Sequence, residues 1–528
     1  MSELLQDFIF DTARKTPDAE ALVYGAERLN YRALAQSVRA AAAAFAAAGV
    51  GRGERIAVYL EKRIETVSAL FGAAAAGAVF VPVNPLLKPE QVAYILADCN
   101  VRILVTSPER LRQLEPALAA CPDLRTVFVT GADAGAGGAL PVLAWDTALA
   151  THADAAEPAA RRIDQDVAAI LYTSGSTGRP KGVVLSHRNM AAGARSVAGY
   201  LAIAPGDRLL AVLPLSFDYG LSQLTCAFLC GASAVLLNHL FARDVVKAVV
   251  DERITGLAAV PPLWSQLARL DWSAATSLRY LTNSGGALPR ATVDALRERL
   301  PHAELFLMYG LTEAFRSTYL PPAELARRPD SMGRAIPNAE VMVVRPDGSR
   351  CAPHEPGELV HRGALVALGY WNDPVKTAER FRPAPSQDPA LPLPEMAVWS
   401  GDTVRADEEG YLYFIGRSDE MIKVSGYRVS PTEIEEVVSA TGLVEEAACF
   451  GVPHPELGQA VVLVVAGDGA VVPALLAECK RRLPAYMVPL HVALHPGQLP
   501  RNPNGKIDRK ALQSGFLTLF DPSAKTSS

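Results

Sequence analysis

The sequence predicts an α/β protein in which largely parallel sheets are flanked by helices. In the first third of the chain, strand-like apolar runs alternate with helix-like segments, which is typical of strand–helix–strand units. A region of short strand patterns follows at residues 357–414, and a last segment of mixed helix and strand pattern begins near Arg417. With 528 residues, the chain is too long for one ordinary domain. We therefore predict a large N-terminal domain at residues 1–416 and a small α+β domain at residues 417–528.

Composition and turn residues justify the elements one by one. Residues 31–48 are rich in alanine and run into Gly49, as a helix with a glycine at its C-terminus does. The segments that follow predict a strand at 55–61, a helix at 64–76, a strand at 78–84, a helix at 89–96 and a strand at 102–107. Later segments predict strands at 167–172, 183–186, 357–363, 410–416, 447–452 and 460–465, and helices at 431–441 and 472–483. The glycine-rich run at 131–140 and the proline-rich run at 382–394 predict irregular connections.

The composition argues against several function classes. Lysine and arginine number 51 against 56 aspartates and glutamates, a formal net charge of −5, whereas nucleic-acid binding needs a basic surplus. The seven cysteines include no C-x-x-C pair, so we expect neither a zinc ribbon nor a disulfide framework. The first ten residues lack the basic region of a secretory signal, and the longest apolar run, residues 70–83, is too short to span a membrane. We expect a cytoplasmic protein without a transmembrane segment.

Three patterns imitate functional sites but have simpler explanations. Glycines 49, 51 and 53 follow a predicted helix and open a strand, whereas a dinucleotide-binding loop follows a strand and opens a helix. Histidines 187, 361 and 454 lack the spacing of metal ligands. Cys226 and Cys230 lie four residues apart on one helix face, as buried thiols commonly do.

The strongest local signal is the run YTSGSTGRPKG at residues 172–182. It lies between two apolar strand patterns, and its glycines allow several backbone N–H groups to turn toward one anion. Four hydroxyl groups and Lys181 add hydrogen-bond donors and a positive charge. The order differs from that of a Walker A loop, in which the lysine follows the last glycine and a helix comes next. The run therefore predicts a polyphosphate-binding loop between two strands.

The same run is similar to the signature of the adenylate-forming superfamily, which contains acyl-CoA synthetases, nonribosomal peptide adenylation domains and luciferases. Further runs match family motifs in the family's order: NSGGALP at 283–289, MYGLTE at 308–313, WSGD at 399–402, GRSD at 416–419 with KVSGYR at 423–428, and PNGK at 503–506. The resemblance extends from about Leu4 to about Leu512, and it looks closest to acyl-CoA ligases associated with bacterial exosortase systems. It implies a small β-barrel-like subdomain within the N-terminal domain and a mobile C-terminal domain.

The resemblance implies a binding site for ATP and Mg²⁺. The residues that would hold the β- and γ-phosphates are Thr173, Ser174, Gly175, Ser176, Thr177, Gly178 and Lys181. Those that would hold the rest of the nucleotide are Gly285, Gly286, Ala287, Tyr309, Gly310, Thr312, Asp402 and Arg417. Tyr309 would stack on adenine, and Asp402 would accept hydrogen bonds from both ribose hydroxyls. Glu313 would ligate Mg²⁺, which prefers carboxylate oxygen; a solvated acid at a helix cap is the alternative interpretation.

The resemblance also assigns roles to the C-terminal part of the chain. Lys506, in a Pro/Asn/Gly turn, would reach the α-phosphate and the substrate carboxylate during adenylation. Asp419 would be the hinge that swings the domain between an adenylating pose and a thioester-forming pose. In the second pose, Gly426 would line the pantetheine channel of coenzyme A and Arg428 would approach its phosphate.

The acyl pocket is expected between residues 217–220 and residues 284–287. Its candidate lining residues are Phe217, Asp218, Ser284, Leu311, Phe315 and Arg316. Many acyl-CoA synthetases have a histidine where this chain has Phe217-Asp218, and the aspartate is more typical of amino-acid-activating domains, where it meets an α-ammonium group. Asp218 could instead cap a helix that starts near Leu221, or pair with Arg316.

Together these inferences predict an AMP-forming acid–thiol ligase that activates a small-molecule carboxylic acid with ATP and transfers the acyl group to coenzyme A. The alternative is a stand-alone adenylation enzyme that loads the phosphopantetheine of a separate acyl carrier protein, since the chain ends at Ser528 without a carrier domain. A binding protein that has lost catalysis is disfavoured by the intact Lys181, Glu313, Asp402 and Lys506. The sequence indicates neither the identity of the acid nor the oligomeric state.

Overall fold

The computed structural model describes residues 4–131, 140–157, 162–173, 180–385, 387–388, 390–417, 420–424, 427–455, 457–467, 469–483, 485–502 and 505–521. The helices in these ranges are α1 (Leu5–Lys15), α2 (Tyr31–Ala47), α3 (Ile64–Ala76), α4 (Pro89–Asp98), α5 (Pro108–Leu114), α6 (Trp145–Thr151), α7 (His187–Tyr200), α8 (Asp218–Cys230), α9 (Ala242–Asp251), α10 (Pro261–Leu267), α11 (Arg290–Arg299), α12 (Pro374–Arg380), α13 (Pro431–Ser439), α14 (Val472–Arg482) and α15 (Arg509–Ser514).

The strands form four sheets. The first half of the chain contributes β1 (Glu20–Tyr24), β2 (Glu27–Asn30), β3 (Arg55–Tyr59), β4 (Val79–Pro82), β5 (Val101–Thr106), β6 (Thr126–Val129), β7 (Val142–Ala144), β8 (Val167–Thr173), β9 (Lys181–Ser186), β10 (Arg208–Ala211), β11 (Ser233–Leu236) and β12 (Gly256–Ala259). The second half contributes β13 (Tyr280–Asn283), β14 (Glu304–Leu311), β15 (Phe315–Leu320), β16 (Arg334–Ala335), β17 (Ala339–Val344), β18 (Gly357–Gly363), β19 (Phe381–Pro383), β20 (Met396–Ala406), β21 (Leu412–Arg417), β22 (Ile422–Val424), β23 (Tyr427–Val429), β24 (Glu446–His454), β25 (Gly458–Ala466) and β26 (His491–His495).

Two large sheets, parallel through their centres, carry most of the N-terminal part. One has nine strands in the order β16-β15-β14-β13-β12-β10-β11-β1-β2, and the other has seven in the order β7-β6-β5-β3-β4-β8-β9. The pairs β10–β12, β12–β13 and β13–β14 are parallel, so their carboxyl ends meet at one edge. Ligands of open α/β sheets bind outside such carboxyl ends.

Buried helices join the two large sheets into one hydrophobic core. Every residue of α8 from Asp218 to Phe228 is buried, as expected of a helix enclosed on all sides. The same apolar cluster includes α1, α2, α3 and α7 residues together with strands of both sheets. Residues of β8 and β9 therefore share one core with residues of the nine-stranded sheet.

Two smaller sheets complete the fold. Strands β17-β18-β20-β19, with β21 paired to β20, form a five-stranded antiparallel sheet. Strands β23-β22-β25-β24 form a second five-stranded sheet with β26, which pairs with β25 in parallel while the other pairs are antiparallel. Helices α13 and α14 cover it over one apolar cluster and α15 over a second. In the described part of the chain, no helix combines the length and apolarity needed to cross a bilayer.

The predicted fold class is confirmed, and most elements lie within a few residues of their predicted positions. The turn at glycines 49, 51 and 53 joins α2 to β3, as expected from its order along the chain. The proline-rich run is less irregular than predicted, because its start pairs with β20 as β19. The glycine-rich run at 132–139 lies outside the described residues, and the domain boundary at residues 416/417 stays a prediction.

Candidate active site

The predicted phosphate loop connects the antiparallel strands β8 and β9. Thr173, the last residue of β8, is paired with Lys181, the first residue of β9, so both candidate residues flank the base of the loop. Ser174, Gly175, Ser176, Thr177 and Gly178 lie outside the described residues. The paired strands therefore hold the Thr173 and Lys181 backbones opposite each other at the two ends of the loop.

Lys181, Tyr370 and Glu313 form a polar cluster beside this base. The Lys181 Nζ atom lies 5.1 Å from the centroid of the Tyr370 ring, and the Tyr370 hydroxyl donates a 2.5 Å hydrogen bond to Glu313 Oε1. Burial lowers the pKa of Lys181, and Lys376 lowers it further, whereas Glu313 raises it. Burial and the Glu313 carboxylate raise the pKa of Tyr370, so its hydroxyl stays a hydrogen-bond donor. A half-buried carboxylate and an ammonium group thus share one aromatic residue.

Glu313 lies in the turn between β14 and β15, a position that overturns its interpretation as a helix-cap acid. The two strands pair in antiparallel fashion at residues 311 and 315, with no helix at this point. The backbone carbonyl of Glu313 accepts a hydrogen bond from Ala367, in the loop before Tyr370. Tyr370 engages one carboxylate oxygen, Oε1, and among the described residues no hydrogen bond to Oε2 is found.

Tyr309, Asp402 and Arg417 meet where β14 approaches the five-stranded antiparallel sheet. Asp402 and Arg417 are paired across β20 and β21, and the Arg417 Nη1 atom lies 3.3 Å from Asp402 Oδ1. The Tyr309 hydroxyl donates to Asp402 Oδ2. The rings of Tyr309 and His361 stack, with 6.0 Å between their centroids. Asp402 is 5% exposed, so the two contacts hold a carboxylate at a nearly dry position.

The predicted adenine loop follows β13 directly. Gly285 adopts φ +84°, which favours glycine, and the Asn283 side-chain amide donates to the Gly286 carbonyl to close the turn. A Cβ atom at Gly285 would lie 3.8 Å from Phe217 Cζ, so this loop and the start of α8 are neighbours, as predicted for the acyl pocket. Gly286 and Ala287 are exposed, whereas Ser284 is buried.

Gly310 allows β14 and β15 to approach closely before the turn. A Cβ atom there would lie 2.0 Å from the Phe315 carbonyl oxygen and 2.6 Å from Arg316 Cα. Leu311 is half-buried and Thr312 is buried between this contact and Glu313. The glycine is therefore needed for the local path of the backbone, whatever its part in nucleotide binding.

Lys506, from the C-terminal part of the chain, shares electrostatic neighbours with the site. Desolvation of its ammonium group lowers the pKa and Arg417 lowers it further, whereas Asp218 and Asp402 raise it. The residue is exposed to solvent in this structure. The Lys506 N–H donates to the Asn502 side chain and its carbonyl accepts from the Asn502 N–H, which fixes the turn.

Asp218 lies at the inner end of the site, beside a narrow apolar cavity. Its position corrects one alternative, because α8 begins at Asp218 rather than near Leu221, and its N-cap residue Phe217 makes no side-chain capping bond. Burial raises the pKa of Asp218, whereas Arg316 and the Tyr219 N–H lower it. The cavity has a volume of about 10 Å³, about the space of one water molecule. Its lining residues are Leu171, Leu185, Asn189, Met190, Asp218, Leu221, Ser222, Thr225, Phe315 and Leu365.

Besides Lys506, three predicted site residues belong to the part of the chain beyond residue 417. Asp419 and Gly426 lie outside the described residues, and of Arg428 only the backbone, in β23, is described. The hinge and the pantetheine channel therefore stay predictions.

Tyr370 is the functional candidate that sequence reasoning missed. It lies in the loop between β18 and α12, where an antiparallel bridge to Val183 and a hydrogen bond from Trp371 N–H to the Gly182 carbonyl attach the loop to β9. The only sequence signal is an aromatic pair after Gly369, and a lone tyrosine in a loop is too common to indicate a site.

Metal ligands are sparse around this cleft. The described ranges contain no group of three or more histidine, cysteine, aspartate and glutamate residues that could hold a metal ion. Mg²⁺ in nucleotide-binding enzymes is usually bound by one or two carboxylates together with oxygens of the substrate phosphates. The Glu313 carboxylate fits this role. All seven cysteines are free thiols in this structure.

Comparisons with known proteins match nearly the whole chain. The family model described as AMP-binding enzyme matches residues 9–371, and that described as AMP-binding enzyme C-terminal domain matches residues 433–506. The chain is 31% identical to 4-coumarate–CoA ligase 2 of Oryza sativa subsp. japonica, with 97% of this chain and 92% of that protein covered. It is 32% identical to the L-proline–[L-prolyl-carrier protein] ligase of Pseudomonas fluorescens, with 97% and 99% covered.

A solved structure and several longer relatives extend this likeness. The anthranilate CoA ligase AuaEII in complex with anthranoyl-AMP has a TM-score of 0.87 at 26% identity, with 97% of each chain covered. Several other curated relatives are far longer proteins, of which this chain spans 6–11%.

Proposed function

This chain belongs to the AMP-binding enzyme family, and we propose that it is an AMP-forming acid–thiol ligase with coenzyme A as the thiol. In the first half-reaction, a carboxylate oxygen bonds to the α-phosphorus of ATP and the bond to pyrophosphate breaks. In the second, a thiol sulfur bonds to the acyl carbon, the bond from that carbon to the AMP oxygen breaks, and the thiol proton passes to solvent. The names of 4-coumarate–CoA ligase 2 and of the AuaEII complex support this chemistry.

The first half-reaction brings anions together, so the task of the protein is charge neutralisation. Lys181 and the Thr173 hydroxyl, fixed opposite each other at the base of the loop, would bind the β- and γ-phosphates. Asp402 would accept hydrogen bonds from the ribose hydroxyls. Arg417 and Tyr309 hold its two carboxylate oxygens in place. Lys506 would neutralise the α-phosphate and the attacking carboxylate together.

Glu313 would hold Mg²⁺ through the carboxylate oxygen that Tyr370 leaves available. A bound Mg²⁺ supplies charge neutralisation at the phosphates. The Tyr370 hydroxyl orients the Glu313 carboxylate, and the Tyr370 ring keeps the Lys181 ammonium nearby. Gly285, Gly286 and Ala287 would line the adenine face opposite Tyr309.

The observation that carries the proposal is the geometry of two polar clusters: Tyr370 bonds to Glu313 next to Lys181, and Tyr309 and Arg417 hold the Asp402 carboxylate. Lys506 belongs to the C-terminal part of the chain, whereas Asp402 lies in β20 and Asp218 begins α8; the charges of both aspartates raise the pKa of Lys506. A folding role does not require an exposed lysine whose pKa depends on the charges of a candidate ribose acid and a candidate acyl-pocket acid. An adenylating enzyme does require a cation there, because the reacting carboxylate and the α-phosphate repel each other.

The test is pyrophosphate release across a panel of carboxylic acids with MgATP, followed by thioester detection with coenzyme A. We expect acid-dependent pyrophosphate and, when coenzyme A is added, acyl-CoA and AMP in equal amounts. The proposal would be contradicted if none of the acids in the panel supported pyrophosphate release, or if the nucleotide product were ADP.

Loading of a carrier protein is the second candidate function. Asp218 at the start of α8 favours it, because an aspartate here is typical of amino-acid-activating domains, and the relative from Pseudomonas fluorescens is a carrier-protein ligase. Amino acids in the panel and a phosphopantetheinylated carrier protein as the thiol distinguish the two. Thioester formation on the carrier, with none on free coenzyme A, would favour this second function.

A further inference from the structure

Arg316, beside the candidate acyl pocket, is a buried cation without hydrogen-bond partners in the described residues. It is 1% exposed, and its Nε, Nη1 and Nη2 atoms are all buried and all lack an acceptor. Buried charges in proteins are ordinarily paired and hydrogen-bonded, since an unpaired one is costly to desolvate. The guanidinium group therefore has three nitrogens available to donate hydrogen bonds to an anion.

The fold holds this arginine in place by unusual local backbone geometry. The β14–β15 pairing has an irregularity at Gly310, opposite Arg316, and Phe315 adopts φ +52°, a strained value for an aromatic residue. Gly193 of α7 makes room for the Phe315 ring, because a Cβ atom there would lie 2.4 Å from that ring. Strain of this kind concentrates at functional sites, where it fixes a side chain in position.

Two aromatic rings are the principal contacts of the guanidinium group. The Arg316 Cζ atom lies 4.2 Å from the centroid of the Phe315 ring and 4.9 Å from that of Tyr219. Phe315 itself lines the apolar cavity next to Asp218, so Arg316 is one ring away from that space. Stacking leaves the in-plane N–H groups of arginine available, which is the arrangement used to bind planar anions.

Asp218 is a poor counter-ion for this arginine. The two groups interact electrostatically, and Arg316 lowers the pKa of Asp218, but burial raises that pKa by more. The carboxyl group is therefore held toward its neutral form. No hydrogen bond joins it to Arg316, whose nitrogens have no acceptor among the described residues.

We propose that Arg316 binds a second carboxylate on the acid substrate, so that the substrate class is dicarboxylic acids; this inference rests on the proposed function. One carboxylate of the acid reacts with ATP near Lys506, and the other forms paired hydrogen bonds with the guanidinium fork.

The test compares size-matched acids on the full-length protein. Malonate is compared with propionate, succinate with butyrate, and glutarate with valerate. Two quantities are measured for each acid: the melting temperature of the protein and kcat/KM for pyrophosphate release. We expect the diacids alone to raise the melting temperature and to be preferred by about 100-fold or more, the effect of two charge-assisted hydrogen bonds.

Arg316→Met removes the charge at similar volume and is expected to abolish both the preference and the diacid-dependent stabilisation. Its own melting temperature should equal or exceed that of the wild type, because it replaces an unpaired buried charge. Arg328→Met is the matched control: Arg328 is also buried but pairs with Glu324 and Asp407, so this variant should lose stability and keep the diacid preference. Arg316→Lys, which keeps the charge without the fork, should retain a reduced preference.

Equal use of mono- and diacids by the wild type, or an unchanged diacid preference in Arg316→Met, would overturn the inference. If diacids stabilise the wild type through Arg316 and no acid releases pyrophosphate, the anion site stands and the proposed function fails. If monoacids release pyrophosphate and diacids do not, the proposed function stands and the anion site fails.

Discussion

Replacing Tyr370 with phenylalanine tests the cluster at the base of the phosphate loop. The change removes the hydroxyl that donates a 2.5 Å hydrogen bond to Glu313 and keeps the ring that lies 5.1 Å from Lys181 Nζ. The cation–π contact therefore survives, and the loss is confined to the orientation of one carboxylate. Tyr370 is thus a positioning residue for Glu313.

The expected magnitude follows from the single bond removed. A hydrogen bond to a charged group contributes about 1.5–3 kcal/mol, and losing a partner of a metal-binding carboxylate typically costs about 10–100-fold in metal affinity. We expect the half-saturating concentration of Mg²⁺ in the pyrophosphate-release assay of Tyr370→Phe to rise by about 10-fold or more. At saturating Mg²⁺, kcat should recover to within a few-fold of wild type.

Tyr413→Phe provides the matched control. The Tyr413 hydroxyl donates to Asp407, 3.2 Å away and outside the candidate site, so its loss should leave the Mg²⁺ dependence unchanged. A Tyr370→Phe variant with the Mg²⁺ dependence of the wild type, or with a kcat that falls equally at every Mg²⁺ concentration, would refute the positioning role of Tyr370.

Three further variants test other residues of the site and its surroundings. Lys506→Ala should slow adenylation by about 10²–10³-fold and leave thioester formation from a supplied acyl-adenylate unchanged. The control variant Lys480→Ala should leave both half-reactions unchanged. Equal loss in the two half-reactions of Lys506→Ala would contradict domain alternation. Gly310→Ala should lower the free energy of unfolding by about 1–3 kcal/mol or more in urea titration, because its Cβ would meet the Phe315 backbone, whereas Gly206→Ala, with open space around it, should change little. Burial raises the pKa of Asp218, so the stability linked to its proton is complete below the ordinary value near 4 and lost as pH rises through the raised one. Asp218→Asn should therefore melt higher than wild type at pH 8 and no higher at pH 4; the reverse order would refute the buried, neutral acid.

Elements with clear boundary residues could be predicted from the sequence most accurately. The helix α3 has the predicted bounds, residues 64–76, because Gly77 takes a left-handed conformation and ends it. The strand predicted at 55–61 ends at Tyr59, where the chain leaves the sheet without a glycine or proline to mark the point. Local pattern therefore predicts the existence of elements better than their ends.

The site was predictable where motifs are contiguous and not where contacts are long-range. Thr173 and Lys181 flank one loop, and Asp402 and Arg417 pair across adjacent strands, so their proximity follows from local order. The contact of Tyr370 with Glu313 joins two loops 57 residues apart, and no sequence pattern predicts it. The turn at Glu313 was open to a helical interpretation because MYGLTEAFR contains no pair of turn residues. The resemblance to exosortase-associated ligases, the hinge and the coenzyme A channel stay predictions.

The most direct test of the central claim, that this site joins a carboxylate oxygen to the α-phosphorus of ATP, is isotope transfer. An acid labelled with oxygen-18 in its carboxylate is incubated with the enzyme, MgATP and coenzyme A, and the nucleotide product is analysed by mass spectrometry. We expect AMP that carries one labelled oxygen, because the bond made in adenylation stays with phosphorus when the thiol attacks the carbonyl carbon. Unlabelled AMP, or ADP in its place, would contradict the claim.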